Sequence, residues 1–301
     1  NLNLKQMTIS EVESDRFGRW IKAIERDWPS PVAHEYARFH RLAREHDAVV
    51  AQGGRLDGVT VSLVWQLVNL AEVLVKFPTL LMAQDLLKHG TPGDASAVRA
   101  ALFGRKLMFG SWIELARDVV SPRMSDGGLQ TSPLSVFVKK RSASLRALEA
   151  INAFRNASIG HGSLRLDVSE FEREVLPLAT RLNEALGQTE AESPWSGFTF
   201  RAVDAPDLPL HGWKALRERA HLQRLNFNAG DQPDRVDLEL AGPDDPLPLT
   251  PLIALRRCQE AGCGHLDVFL FDSPSGFGRS RSFSLLDHLF GHPHSTTTDA
   301  D

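Results

Sequence analysis

An arginine, an amide and an imidazole lie close together at Arg155, Asn156 and His161, within the run Phe154-Arg155-Asn156-Ala157-Ser158-Ile159-Gly160-His161-Gly162. Arginine is a permanent cation whose planar fork of donors matches phosphate oxygens and the charge that grows on them in a transition state. Histidine takes or gives a proton near neutral pH. Together they suit metal-free cleavage of an RNA phosphodiester by the adjacent ribose 2′-hydroxyl. Arg155 would stabilise the phosphate, His161 would act as general acid or base, and Asn156 would orient the phosphate or fix the helix end. Six residues along an unbroken α-helix rotate a side chain by about 240°. Arg155 and His161 therefore converge only if Gly160 bends the chain or a second copy of the segment faces the first. The same residue types at a helix C-terminus also stabilise its dipole by about 0.3–1 kcal/mol.

The elements that would position this cluster read as helices. Ser10 with Glu13 forms a capping-box pattern ahead of Glu11 to Trp28, where Phe17, Trp20, Ile21 and Ile24 share a stripe. Ser30-Pro31 opens a second helix to about Asp47. Leu56 to His89 is long and apolar, with a kink or break expected at Pro78. Its Gln66, Asn69, Glu72 and Lys76 are spaced unlike a bilayer-spanning segment, so it reads as a buried helix. Ala95 to Leu107 and Gly110 to Val120 follow, the latter with Trp112, Ile113 and Leu115 as core candidates. Ser121 to Pro133 reads as a loop. Leu134 to Ile159 is a single amphipathic helix in this reading, ended by Gly160 and Gly162. Lys139, Lys140, Arg141, Arg146 and Arg155 would share it, with Glu149 as the acid among them, as a run able to engage RNA phosphates or simply a solvated face. Glu170 to Leu186 is the last clear helix.

Composition then shifts. Prolines crowd from Pro194 to Pro251, and short alternating runs appear at Phe198 to Phe200, Val236 to Leu240 and Asp267 to Phe271. One further helix is expected around Trp213 to Leu225. The expected class is α+β: an all-α bundle over 8–190, a small β-containing domain over 191–294, and a disordered tail at 295–301. The two cysteines, Cys258 and Cys263, with His265 beside them, resemble one knuckle of a zinc ribbon, or else a turn with two reduced thiols. His265, His288, His292 and His294 could complete a metal site, but no metal or other cofactor is expected. The segment from Leu249 to His292 resembles a β module of multidomain bacterial proteins.

Net charge is -4, and 24% of residues are charged. A uniformly basic nucleic-acid coat is excluded, while a local basic patch is not. The sparse cysteines and the start Asn1 to Met7 point to a cytoplasmic setting away from membranes.

The Arg155–His161 string resembles the Arg-x(4–6)-His motif of HEPN domains, with the asparagine that often follows the arginine. Gly110-Ser111-Trp112-Ile113-Glu114-Leu115, then a loop and the helix ending at the motif, is similar to HEPN domains of bacterial defence and signalling proteins over residues 10–187. The resemblance implies a helical bundle that dimerises and builds a composite Arg/His site. It also implies an endoribonuclease acting in anti-phage defence or toxin-like growth arrest, with RNA as substrate and a partner protein docking on the β domain. The alternative is a non-catalytic sensor or adaptor that binds a protein or nucleotide.

Overall fold

The computed structural model describes residues 15–53, 57–124, 129–159, 170–203, 210–212, 224–227, 235–242, 245–257, 266–274 and 283–286. The α-helices are α1 (Lys22–Asp27), α2 (Ser30–Ala51), α3 (Asp57–His89), α4 (Pro92–Phe103), α5 (Phe109–Glu114), α6 (Ser121–Met124), α7 (Ala143–Phe154) and α8 (Leu176–Ala191). Described strands are β1 (Thr199–Ala202), β2 (Arg224–Phe227), β3 (Arg235–Val236), β4 (Leu238–Ala241), β5 (Leu247–Pro248), β6 (Ile253–Arg257), β7 (Leu266–Pro274) and β8 (Phe283–Leu286). Helices therefore precede strands, and the class is α+β.

The organising element is α3. It is apolar all round, which suits a helix enclosed on every side. Leu63, Val64, Leu67, Leu70, Leu74, Phe77, Leu81 and Leu86 are buried in the core. By length and composition Gly58–His89 could also cross a membrane; here most of it is buried inside the protein, with Trp65 left exposed. The helix runs through Pro78 without ending, so of the kink or break expected there the break does not occur. Packing on several sides supports a turn that has lost one backbone hydrogen bond.

Three buried polar residues of α3 each fasten a different neighbour. Gln66 Nε2 donates to the Glu35 carboxylate at 2.6 Å and to the Glu35 carbonyl at 3.1 Å, tying α2. Lys76, with no exposed surface, donates from Nζ to Asp272 Oδ1 of β7 at 3.0 Å. The same ammonium lies 5.2 Å from the centre of the Trp112 ring. Asp85 accepts from the Thr131 backbone N–H at 2.9 Å and from its hydroxyl at 2.5 Å.

The strands form two antiparallel sheets, β1-β4-β5 and β2-β8-β7-β6-β3. Alternate residues Phe200 and Ala202, then Leu238 and Leu240, turn inward, as strand geometry requires. The core is continuous from the helices into the sheets. Phe77 meets Phe200 edge-on at 5.4 Å, and Phe103 and Trp112 meet Phe271 at 5.4 and 6.3 Å. A short bridge pairs Pro29 with His211. There Gly212 has φ +79°, and a Cβ would stand 2.8 Å from the Arg26 carbonyl, so the turn requires glycine. His211 Nε2 accepts the Phe200 N–H at 2.9 Å, while Nδ1 donates to the Asp27 carbonyl at 3.0 Å.

Several expected elements differ. Glu11 to Trp28 is not one helix over its described part: Asp15–Phe17 is a 3₁₀ turn, Gly18 takes φ +79°, and α1 begins only at Lys22. Phe17, Trp20 and Ile24 nevertheless reach the core, with Ile21 half-buried. Ser121–Met124 continues helically where a loop was expected. Leu134 to Ile159 is broken: Ser132–Phe137 is a 3₁₀ segment, Arg141 takes φ +71°, and Ser142 caps α7 by accepting the Leu145 N–H. The serine cap competes with helix continuation, and apolar spacing alone does not reveal it. Around Trp213 to Leu225, Arg224 and Leu225 are in β2, and 213–223 lie outside the described residues, as does the tail.

Replacing one partner of the Lys76–Asp272 pair strands a buried charge. Lys76→Met is expected to destabilise the protein by about 3 kcal/mol, the low end for buried pairs because Asp272 keeps some solvent contact. Lys76→Met with Asp272→Leu should recover much of that in urea unfolding; an unchanged midpoint for Lys76→Met would contradict this account. A second expectation concerns pH. Burial, only partly opposed by the bond to the Asp27 carbonyl, pushes the His211 imidazole below its ordinary value. His211 is neutral while it accepts from Phe200, so the unfolded chain binds the proton more tightly. Its stabilising contribution is complete above the ordinary histidine pKa of about 6.5 and is lost as pH falls from there through the folded value. His211→Gln should flatten this acid-side slope of stability against pH, and an unaltered slope would refute the assignment.

Candidate functional site

The motif helix α7 is short and strongly two-faced. Leu145, Leu148, Ile151 and Phe154 are buried, at three-residue spacings. The helix packs between α3, α5 and α8. At Arg155 the backbone widens into a π-helical segment, Arg155–Ile159. Two further π-helical segments, Leu115–Val120 and Phe171–Val175, occur among the described residues. From Arg155 to Ile159 the rotation per residue is therefore not that of an α-helix.

Arg155 is half-buried and Asn156 exposed. The guanidinium donates from Nη1 to Asn156 Oδ1 at 3.3 Å. Among the described residues it has no carboxylate partner, so its remaining donors are available to an anion. His161 lies outside the described residues, as do Cys258, Cys263, His265, His288, His292 and His294. Among the described residues no group of acidic, histidine or cysteine side chains is arranged to hold a metal.

A residue that sequence reading passed over supports this end of α7. Asn152, one turn before Arg155, lies against Gly110 of α5, where an added Cβ would stand 3.2 Å from Asn152 Nδ2. Asn152 Oδ1 is buried without a hydrogen-bond partner among the described residues. The Gly110–Leu115 segment singled out in the sequence thus packs against α7, with Gly110 meeting it at Asn152, three residues before Arg155. Its Trp112, Ile113 and Leu115 are all buried, as expected. The only sequence cue for Asn152 is its place three residues before Arg155 on the same helix.

The basic residues are not gathered on one helix. Lys139, Lys140 and Arg141 precede α7, Arg146 lies within its first turns, and Arg155 follows its end. All but the half-buried Arg155 are exposed. Glu149, the acid among them, is engaged from the side by Arg117, whose Nη1 lies 2.7 Å from Glu149 Oε1 while Nε and Nη2 grip Asp118 at 2.9 and 2.8 Å. Asp118, then Glu149, hold Arg117 firmly protonated, and Arg117 in turn lowers the Asp118 carboxyl. Glu149 is thereby balanced by Arg117.

Two histidines on α2 lie beside carboxylates. His40 Nδ1 is 2.6 Å from Glu25 Oε1, and its ring stacks on Trp20 at 4.2 Å. His34 is buried beside Glu35. A further pair, unnoticed in the sequence, is Asp85 with His89, whose Nδ1 lies 2.7 Å from Asp85 Oδ1; the cue was their i,i+4 spacing.

Comparison with known proteins gives no match: no family model, curated protein or solved structure matches this chain.

Because Gly110 seats Asn152, Gly110→Val is expected to destabilise the protein by about 1–3 kcal/mol through overpacking. Equilibrium unfolding measures this, and a loss below about 0.5 kcal/mol would show that the contact yields freely.

Proposed function

We propose that the protein is a metal-independent endoribonuclease of the HEPN type, acting in bacterial defence or growth arrest through a composite site formed by two copies. The observation that carries this reading is a half-buried guanidinium with no described carboxylate partner, set beside an exposed amide on a π-helical turn. Arg155 offers paired donors to the non-bridging oxygens of a phosphodiester, where negative charge builds during attack. Asn156, already within reach of Arg155, orients the fork or contributes a further donor.

In the proposed reaction the ribose 2′-oxygen bonds to phosphorus while its proton passes to a neutral imidazole. The bond to the 5′-oxygen breaks, and that oxygen takes a proton from an imidazolium. The products are a 2′,3′-cyclic phosphate and a 5′-hydroxyl. His161 from each of two chains supplies the base and the acid, a division that a two-fold site provides without further residues. Arg155 stabilises the pentavalent phosphorus from the side.

The test is cleavage of RNA in EDTA. Native protein should yield 2′,3′-cyclic phosphate ends. His161→Ala and Arg155→Ala should each lower the rate by at least 100-fold, the usual size of acid–base and electrostatic contributions. Arg155→Ala should retain the native unfolding midpoint, because its side chain makes few internal contacts. Cleavage at the native rate by His161→Ala, or no cleavage by any native oligomer, would overturn the reading and favour a binding module.

A further inference from the structure

Lys139, Lys140 and Arg141 line one wall of an open pocket of about 430 Å³, faced by Gln188 and Thr189 of α8 and by Glu192 just after it. Among the described residues none of the three cations makes an ion pair. Lys140 attracts Asp118 from a distance, but Asp118 is already gripped by Arg117. Arg146 adds a fourth cation, its Nη1 donating to the Arg141 carbonyl at 2.9 Å. Opposing this charge within the pocket is the single carboxylate of Glu192. The pocket falls within the usual volume range of ligand sites, and its electrostatics select a polyanion over a neutral ligand.

Its position matters as much as its charge. The twelve residues of α7 separate the pocket from Arg155. At 1.5 Å per residue this is about 18 Å. One phosphate cannot touch both ends. A nucleic-acid strand can, since about five stacked nucleotides at 3.4 Å span that length.

We propose that the Lys139–Lys140–Arg141 pocket is a remote phosphate-binding site for the RNA strand held at Arg155, and that α7 sets a minimum substrate length of about five to six nucleotides. This rests on the RNA reading above for the identity of the strand but not on cleavage. The three cations hold backbone phosphates without reading bases, so selection is by length rather than sequence.

The experiment uses uniformly 2′-O-methylated oligouridylates, which lack the attacking hydroxyl and report binding alone. Affinities of two- and eight-nucleotide probes for the full chain are measured by fluorescence anisotropy over a salt series. The eight-nucleotide probe should bind at least tenfold more tightly than the two-nucleotide probe. The variant Lys139→Gln/Lys140→Gln/Arg141→Asn changes only exposed side chains, and asparagine tolerates the positive φ at 141. It should erase the length advantage and lower the slope of log affinity against log salt by about 2, since each single-strand phosphate contact is worth about 0.7. Native affinity and slope in this variant, or equal binding of both probes by native protein, would overturn the proposal. Loss of the length advantage in the variant, combined with no RNA cleavage by native protein, would uphold the pocket and reject the nuclease.

Discussion

The structure depends on one constraint: an apolar helix of 33 residues must be largely enclosed, and the amide and charges it buries at Gln66, Lys76 and Asp85 must each find a partner. Lys76 is the sharpest case. Its ammonium is removed from water, so the strand carrying Asp272 and the ring of Trp112 must be brought to it. Gln66 and Asp85 impose the same demand on α2 and on the loop at Thr131. Hydrophobic burial brings the layers together without direction, whereas these hydrogen bonds fix where each layer sits along α3.

That constraint reaches the candidate site through packed neighbours. Trp112, held beneath Lys76, belongs to the same short helix as Gly110, and Gly110 seats Asn152 one turn before Arg155. The end of α7 is thus supported by α5, which is itself clamped between α3 and the β7 aromatic Phe271. Close support of this kind holds an arginine without satisfying its charge. Its one hydrogen bond among the described residues is to the amide of Asn156.

The charge distribution along α7 follows from its start rather than its pattern. Ser142 caps the helix, and the positive φ at Arg141 turns the chain sharply just before it. The three preceding cations are thereby grouped at a pocket instead of spread along a face. Arg155 is left alone at the opposite end. A helix running unbroken from Leu134 would have wound the same residues around its circumference and produced neither grouping.

Sequence by itself determined the order of helices before strands, the burial of most of α3, and the core residues Phe17, Trp20 and Ile24 near the start and Trp112, Ile113 and Leu115 at α5, because apolar spacing at three and four residues or at two leaves little freedom in which face turns inward. It also marked Arg155 and Asn156 as neighbours at a helix end. Tertiary structure alone decided that Lys76 would meet Asp272, that Asn152 would lie on Gly110, and that Glu149 would be taken by Arg117. These partners are separated by 196, 42 and 32 positions, and no local propensity encodes such a pairing. The division of the basic run was not read from the sequence: the apolar spacing fitted a continuous helix from Leu134, and the structure breaks it with the positive φ of Arg141 and the Ser142 cap.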